Sequence, residues 1–138
     1  MPKCVKIFLK NKDMKLENQV VSLELSKKLK DLGFEQESLF YWDYRNKVGE
    51  ELKDTIIDKK QIENYDCAYS AYTVAELGEM LPHEISDKDL EVCKIGEGLW
   101  STGYPVAFPI ALNYEKDKTM ANSMAKMLIY LKENNMLK

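Results

Sequence analysis

Apolar residues recur every third or fourth position in three stretches of this chain, and every second position in several others. Val21, Leu25, Leu29 and Leu32 keep helical spacing. Gly33 follows at the position where a left-handed residue ends a helix, and Phe34 can then pack back on Leu29 as in a Schellman motif. A second stripe comprises Val74, Leu77 and Leu81, widened by Met80. Thr73 and Glu76 announce it as a capping box: the hydroxyl takes an orphan backbone N–H and the carboxylate reaches back to the N–H of Thr73. Tyr72, just before the cap, can staple onto Leu77, and Pro82 disfavours helical geometry at Leu81, so the helix is short. A third stripe, Met120, Met124, Met127, Leu128 and Leu131, starts after Thr119 as N-cap and stops at Asn134 or Asn135.

The alternating stretches predict strands. In 3–10, Val5, Ile7 and Leu9 oppose Lys6 and Lys10. The run LFYWDY at 39–44 puts Phe40 and Trp42 on a core face, and Asp43 marks the opposite face as the wetter one. Arg45 opens a turn, with a short return strand expected between Val48 and Ile57. The segment 65–72 alternates again and leads into the Thr73 helix. Segments 90–95 and 99–108 predict a hairpin around Gly96-Glu97-Gly98, with Pro105 and Pro109 confining the second segment to an edge or a bulge. The expected fold class is therefore α+β: an antiparallel or mixed sheet packed with about three helices in a single layered domain, in the order β-α-β-(β)-β-α-β-β-α. Leu25, Leu29, Leu77 and Leu128 are the expected core anchors.

One domain is the natural reading of 138 residues, and residues 1–13 can be an N-terminal extension, with Met14 itself able to serve as a start. The chain is 45% hydrophobic and 31% charged, too apolar for a disordered protein. A formal charge of −3 and a single arginine, Arg45, argue against a nucleic-acid reader. Acids gather between Glu76 and Glu97, but no run of like charge is long enough to dominate a face, so a solvated rim explains them better than mimicry of DNA. No apolar run reaches membrane-span length and the N-terminus has no signal-peptide core, so a cytoplasmic location is expected.

The chemistry-bearing residues form no recognisable constellation. Cys4, Cys67 and Cys93 are odd in number and widely spaced, which fits a reducing compartment rather than a disulfide framework. His83 is the sole histidine, so a zinc site would lack paired ligand spacing. A Cys–His nucleophile would have to pair His83 with Cys67 or Cys93, and a carboxylate pair would have to use Glu76, already explained by the cap, with Glu79. Gly96-Glu97-Gly98 is not a dinucleotide fingerprint, because Ser101 takes the third glycine position and no helix follows. No catalytic residue, cofactor or metal is expected.

Three motifs carry a resemblance: VSLELSKKLKDLGFEQESLFYW at 21–42, AYTVAELGEMLP at 71–82 and AKMLIYLKENNML at 125–137. In this order they resemble a widespread group of small, uncharacterised proteins encoded by bacteriophages and by prophages. The likeness covers most of the chain from Met14 onward and is least in 83–118. It implies a phage or prophage origin and action in the cytoplasm of a bacterial host, and it carries over no functional residue.

The expectation for function is a non-enzymatic protein–protein interaction module, acting on an unknown protein partner or by self-association, with no membrane and no nucleic acid. Trp100 and Tyr104 are the expected contact residues, because tryptophan and tyrosine dominate binding hot spots. A small enzyme using carboxylate or Cys–His chemistry is one alternative. The other is single-stranded nucleic-acid binding on the aromatic 39–44 strand, which would need a basic groove.

Overall fold

The computed structural model describes residues 15–43, 47–48, 51–52, 55–61, 68–105 and 114–137. The expected 3–10 strand, and with it Cys4, Arg45, Cys67 and Pro109, lies outside the described residues. The described elements run α1 (Leu23–Asp31), β1 (Phe40–Asp43), β2 (Lys47–Val48), β3 (Glu51–Leu52), β4 (Thr55–Asp58) and β5 (Ala68–Ser70). They continue with α2 (Val74–Met80), β6 (Glu84–Ile85), β7 (Lys88–Asp89), β8 (Glu91–Lys94), β9 (Trp100–Gly103), β10 (Glu115–Asp117) and α3 (Met120–Glu133). The fold is α+β, and every strand pair among the described residues is antiparallel.

Local chemistry sets the helix ends. Ser22 caps α1, its side chain accepting from the Leu25 amide, and Gly33 at φ 91° closes the helix. The Phe34 amide donates to the Leu29 carbonyl and the Gly33 amide to that of Lys30, the paired bonds of a Schellman motif. Both halves of the Thr73–Glu76 capping box are formed on α2. Thr119 caps α3, and Asn135, at φ 55°, repeats the Schellman geometry with Met136 donating to Leu131.

Two three-stranded sheets, β4-β1-β5 and β10-β9-β8, flank the helices. In the first, Trp42 stands opposite Ile56 on β4 and Tyr69 on β5. The Trp42 indole donates to the Val21 carbonyl at 2.7 Å, tying β1 to the entry of α1. Asp43 does not mark a wet face: Tyr41 and Asp43 are as buried as Trp42, while Phe40 is only half-buried. β1 is the middle strand and is covered on both sides.

The second sheet holds α3, which packs on β9 and β10. The hairpin expected from 90–95 and 99–108 is formed by β8 and β9, with Gly96 and Gly98 both at positive φ, and positions 106–108 lie outside the described residues. β9 is central rather than an edge, because it ends at Gly103 before Pro105 and β10 pairs on its other side. The polar connection after Pro82 folds into a further hairpin, β6–β7, turned through Ser86 and Asp87 at positive φ.

The larger core cluster joins Leu29 of α1, Leu77 of α2 and Met124, Leu128 and Leu131 of α3 around Tyr72 and Tyr104. Leu25 packs against it while remaining partly exposed. The methionine stripe is thus core over most of its length, and truncating Leu128 to alanine would cost about 2–5 kcal/mol. No helix among the described residues is long and apolar enough to cross a membrane.

Candidate functional site

Four chain segments meet beside Trp100. They are the turn at Leu16–Asn18, the start of β1 at Phe40, the N-terminal end of α2 at Thr73–Ala75 and the N-terminal end of α3 at Lys118–Met120. Between them lies an open cleft of about 770 Å³, within the range of ligand-binding pockets. Leu16, Phe40, Val74, Trp100 and Met120 give it an apolar lining.

The helix caps explain why these segments converge. The isolated bridge between Val20 and Thr73 brings the two chain entries together, and the Val21 amide donates to the Tyr72 carbonyl. The Ser22 amide donates to Asn122 Oδ1 at 2.9 Å, which binds the cap of α1 to the first turn of α3. Glu76 Oε1 accepts the Thr73 amide at 3.0 Å, and its Oε2 accepts the Leu39 amide at 3.1 Å, holding β1 against α2.

The cap hydroxyls and the Asp117 carboxylate at the rim are therefore committed to structure. Thr73 Oγ1 accepts the Glu76 amide at 3.2 Å, and Thr119 Oγ1 accepts the Asn122 amide at 3.2 Å. Asp117 bonds Lys126 Nζ at 2.7 Å. Burial works to raise the Asp117 carboxyl. The Lys126 ammonium, with the Thr119 amide and the Asn122 side chain, outweighs it and holds the carboxyl below its ordinary range.

Trp100 is half-buried and lines the cleft. The reason is its register. It sits opposite Asp117, three residues before α3 begins, whereas Thr102, two residues on, lies under Ser123 and is fully buried. The helix has not started where Trp100 would need cover. Lys94, its partner across the hairpin, places Nζ 5.9 Å from the Trp100 ring centroid.

Tyr104 is corrected from contact residue to core residue. It follows Trp100 and Thr102 on the inward side, is fully buried, and donates its hydroxyl hydrogen bond to the Pro82 carbonyl. Burial pushes its hydroxyl up to about 12. Tyr104 and Trp100 therefore do not share a surface.

The remaining candidate groups that the structure describes stay apart. Among the described residues, His83 is exposed, Cys93 is half-buried on β8, and no hydrogen bond joins them. Glu76 is held in its cap while Glu79 is exposed. Sequence reasoning singled out Trp100 but not Leu16, Phe40, Val74 and Met120, which line the cleft with it. The signals available in the chain, the Thr73 and Thr119 caps, locate helix starts but not their meeting point. No family model, curated protein or solved structure matches the chain.

Proposed function

We propose that this chain is a non-enzymatic protein–protein interaction module of phage or prophage type, acting in the bacterial cytoplasm, and that it holds its partner at the cleft beside Trp100. The three resembling motifs support the origin. One observation carries the binding role: Leu16, Phe40, Val74, Trp100 and Met120 wall the cleft, and the Thr73 and Thr119 hydroxyls and the Asp117 carboxylate at its rim are already engaged as helix caps and an ion pair. Such a surface offers burial to a partner and leaves few groups to assist a reaction.

The test is capture from bacterial lysate at two salt concentrations, with Leu16→Asp and Trp100→Ala beside the unaltered protein. Leu16 is 38% exposed, so its substitution leaves the core intact. One stoichiometric partner, retained by the unaltered chain and lost from both variants, supports the module and its surface. A partner retained equally by all three places the contact elsewhere. No partner at either salt refutes the module.

A further inference from the structure

We infer that the occupant of the cleft is a partner-protein segment that sets a carboxylate beside a bulky apolar side chain. This rests on the binding reading above and goes further, because it assigns the partner a chemistry. The apolar lining accounts for one half of the motif: Leu16, Val74, Trp100 and Met120 offer contact area to an aliphatic or aromatic side chain.

Charge accounts for the other half. Lys118 lines the cleft and Lys94 stands over the Trp100 ring. Both are exposed, and neither has an ion-pair partner among the described residues. Of the acids nearby, Asp117 is paired with Lys126 and Glu76 is held by the amides of Thr73 and Leu39, while Glu17, between the lining residues Leu16 and Asn18, is exposed. Lys118 and Lys94 thus stand exposed beside the cleft against the single carboxylate of Glu17, on a chain whose formal charge is −3. The N-terminal end of α3 adds potential of the same positive sign, although its cap is already filled by Thr119. A second copy of this chain is a poor occupant, because a two-fold arrangement would set lysine rim against lysine rim.

The experiment is selection of a displayed library of random heptapeptides on the immobilised full-length chain, repeated with Lys118→Glu and Leu16→Asp. Both positions are exposed, so both variants should fold, and circular-dichroism melting is the check on that. The expected result is enrichment of sequences carrying Asp or Glu within two positions of Leu, Phe or Trp. A synthetic peptide of the leading sequence should bind about tenfold tighter than its Asn/Gln counterpart at low salt, and Lys118→Glu should remove that difference. Leu16→Asp should weaken both peptides.

Apolar peptides enriched without charge preference would overturn the carboxylate inference and leave the binding reading standing. Enriched sequences with lysine or arginine would overturn it as well. No enrichment at all would overturn both the inference and the binding reading.

Discussion

Replacing Ser123 by alanine tests how α3 is fastened to its sheet. Thr102 Oγ1 and Ser123 Oγ lie 2.8 Å apart, both fully buried. The Ser123 hydroxyl donates to the Met120 carbonyl at 2.9 Å, so its single proton is committed there. Thr102 must then be the donor in the pair, and the two single substitutions are not equivalent. Ser123→Ala leaves a buried hydroxyl donor without an acceptor, at a cost of about 1–3 kcal/mol. Alanine's better helix propensity offsets roughly half a kcal/mol of that. Thr102→Val keeps the side-chain shape and leaves Ser123 bonded to Met120, so its cost is about 1 kcal/mol. The double variant removes both polar groups and should sit close to the unaltered protein. Urea unfolding at equilibrium measures all four proteins, and each kcal/mol corresponds to roughly 3–5 °C in melting temperature for a chain of this size. The prediction is a favourable coupling of about 1 kcal/mol or more between the two sites. Strictly additive costs, or a Thr102→Val cost above that of Ser123→Ala, would refute the assignment of the donor.

Other consequences are equally direct. Thr73→Ala should cost about 1 kcal/mol by losing the cap, and Glu76→Ala should cost more, because Glu76 also holds the Leu39 amide; reversed ranking in thermal melts would count against that link. A Cβ on Gly103 would lie 2.6 Å from the Tyr114 ring, so Gly103→Ala should destabilise by about 1–3 kcal/mol. Removing the ring with Tyr114→Ala should relieve most of this, and an equal cost in both backgrounds would show that the ring is not the obstacle. Burial, partly offset by the neighbouring Ser70 side chain, pushes the Tyr72 hydroxyl up to about 12, as burial does for Tyr104. The folded state therefore keeps protons that the unfolded chain releases near pH 10. Their contribution is complete below pH 10 and is lost as pH rises to about 12. Phenolate absorbance should show these two tyrosines ionising only as the protein unfolds; their ionisation near pH 10 in the folded protein would sink the prediction.

The sequence by itself determined the features that close within about five residues. The Gly33 stop and its Leu29–Phe34 closure, the Thr73–Glu76 box, the Thr119 cap, the Asn135 stop and the Gly96–Gly98 hairpin all follow from side chains acting on backbone groups a turn away. None depends on what packs above them, so spacing and residue type suffice to read them. Tertiary structure decided what lies across a gap in sequence. A two-residue alternation says that β1 has two faces but not that both are covered, and burial of Tyr41 and Asp43 followed from β1 becoming a central strand. The same alternation carries Trp100, Thr102 and Tyr104 inward together. Only the point at which α3 begins separates a buried Tyr104 from a Trp100 that lines a cleft. The cleft itself is made where the turn at Leu16, Phe40, Val74 and Met120 are drawn together by Asn122 holding Ser22 and Glu76 holding Leu39. Those bonds span from 37 to 100 residues of chain, a distance over which local pattern carries no information because packing of the whole core sets which segments meet.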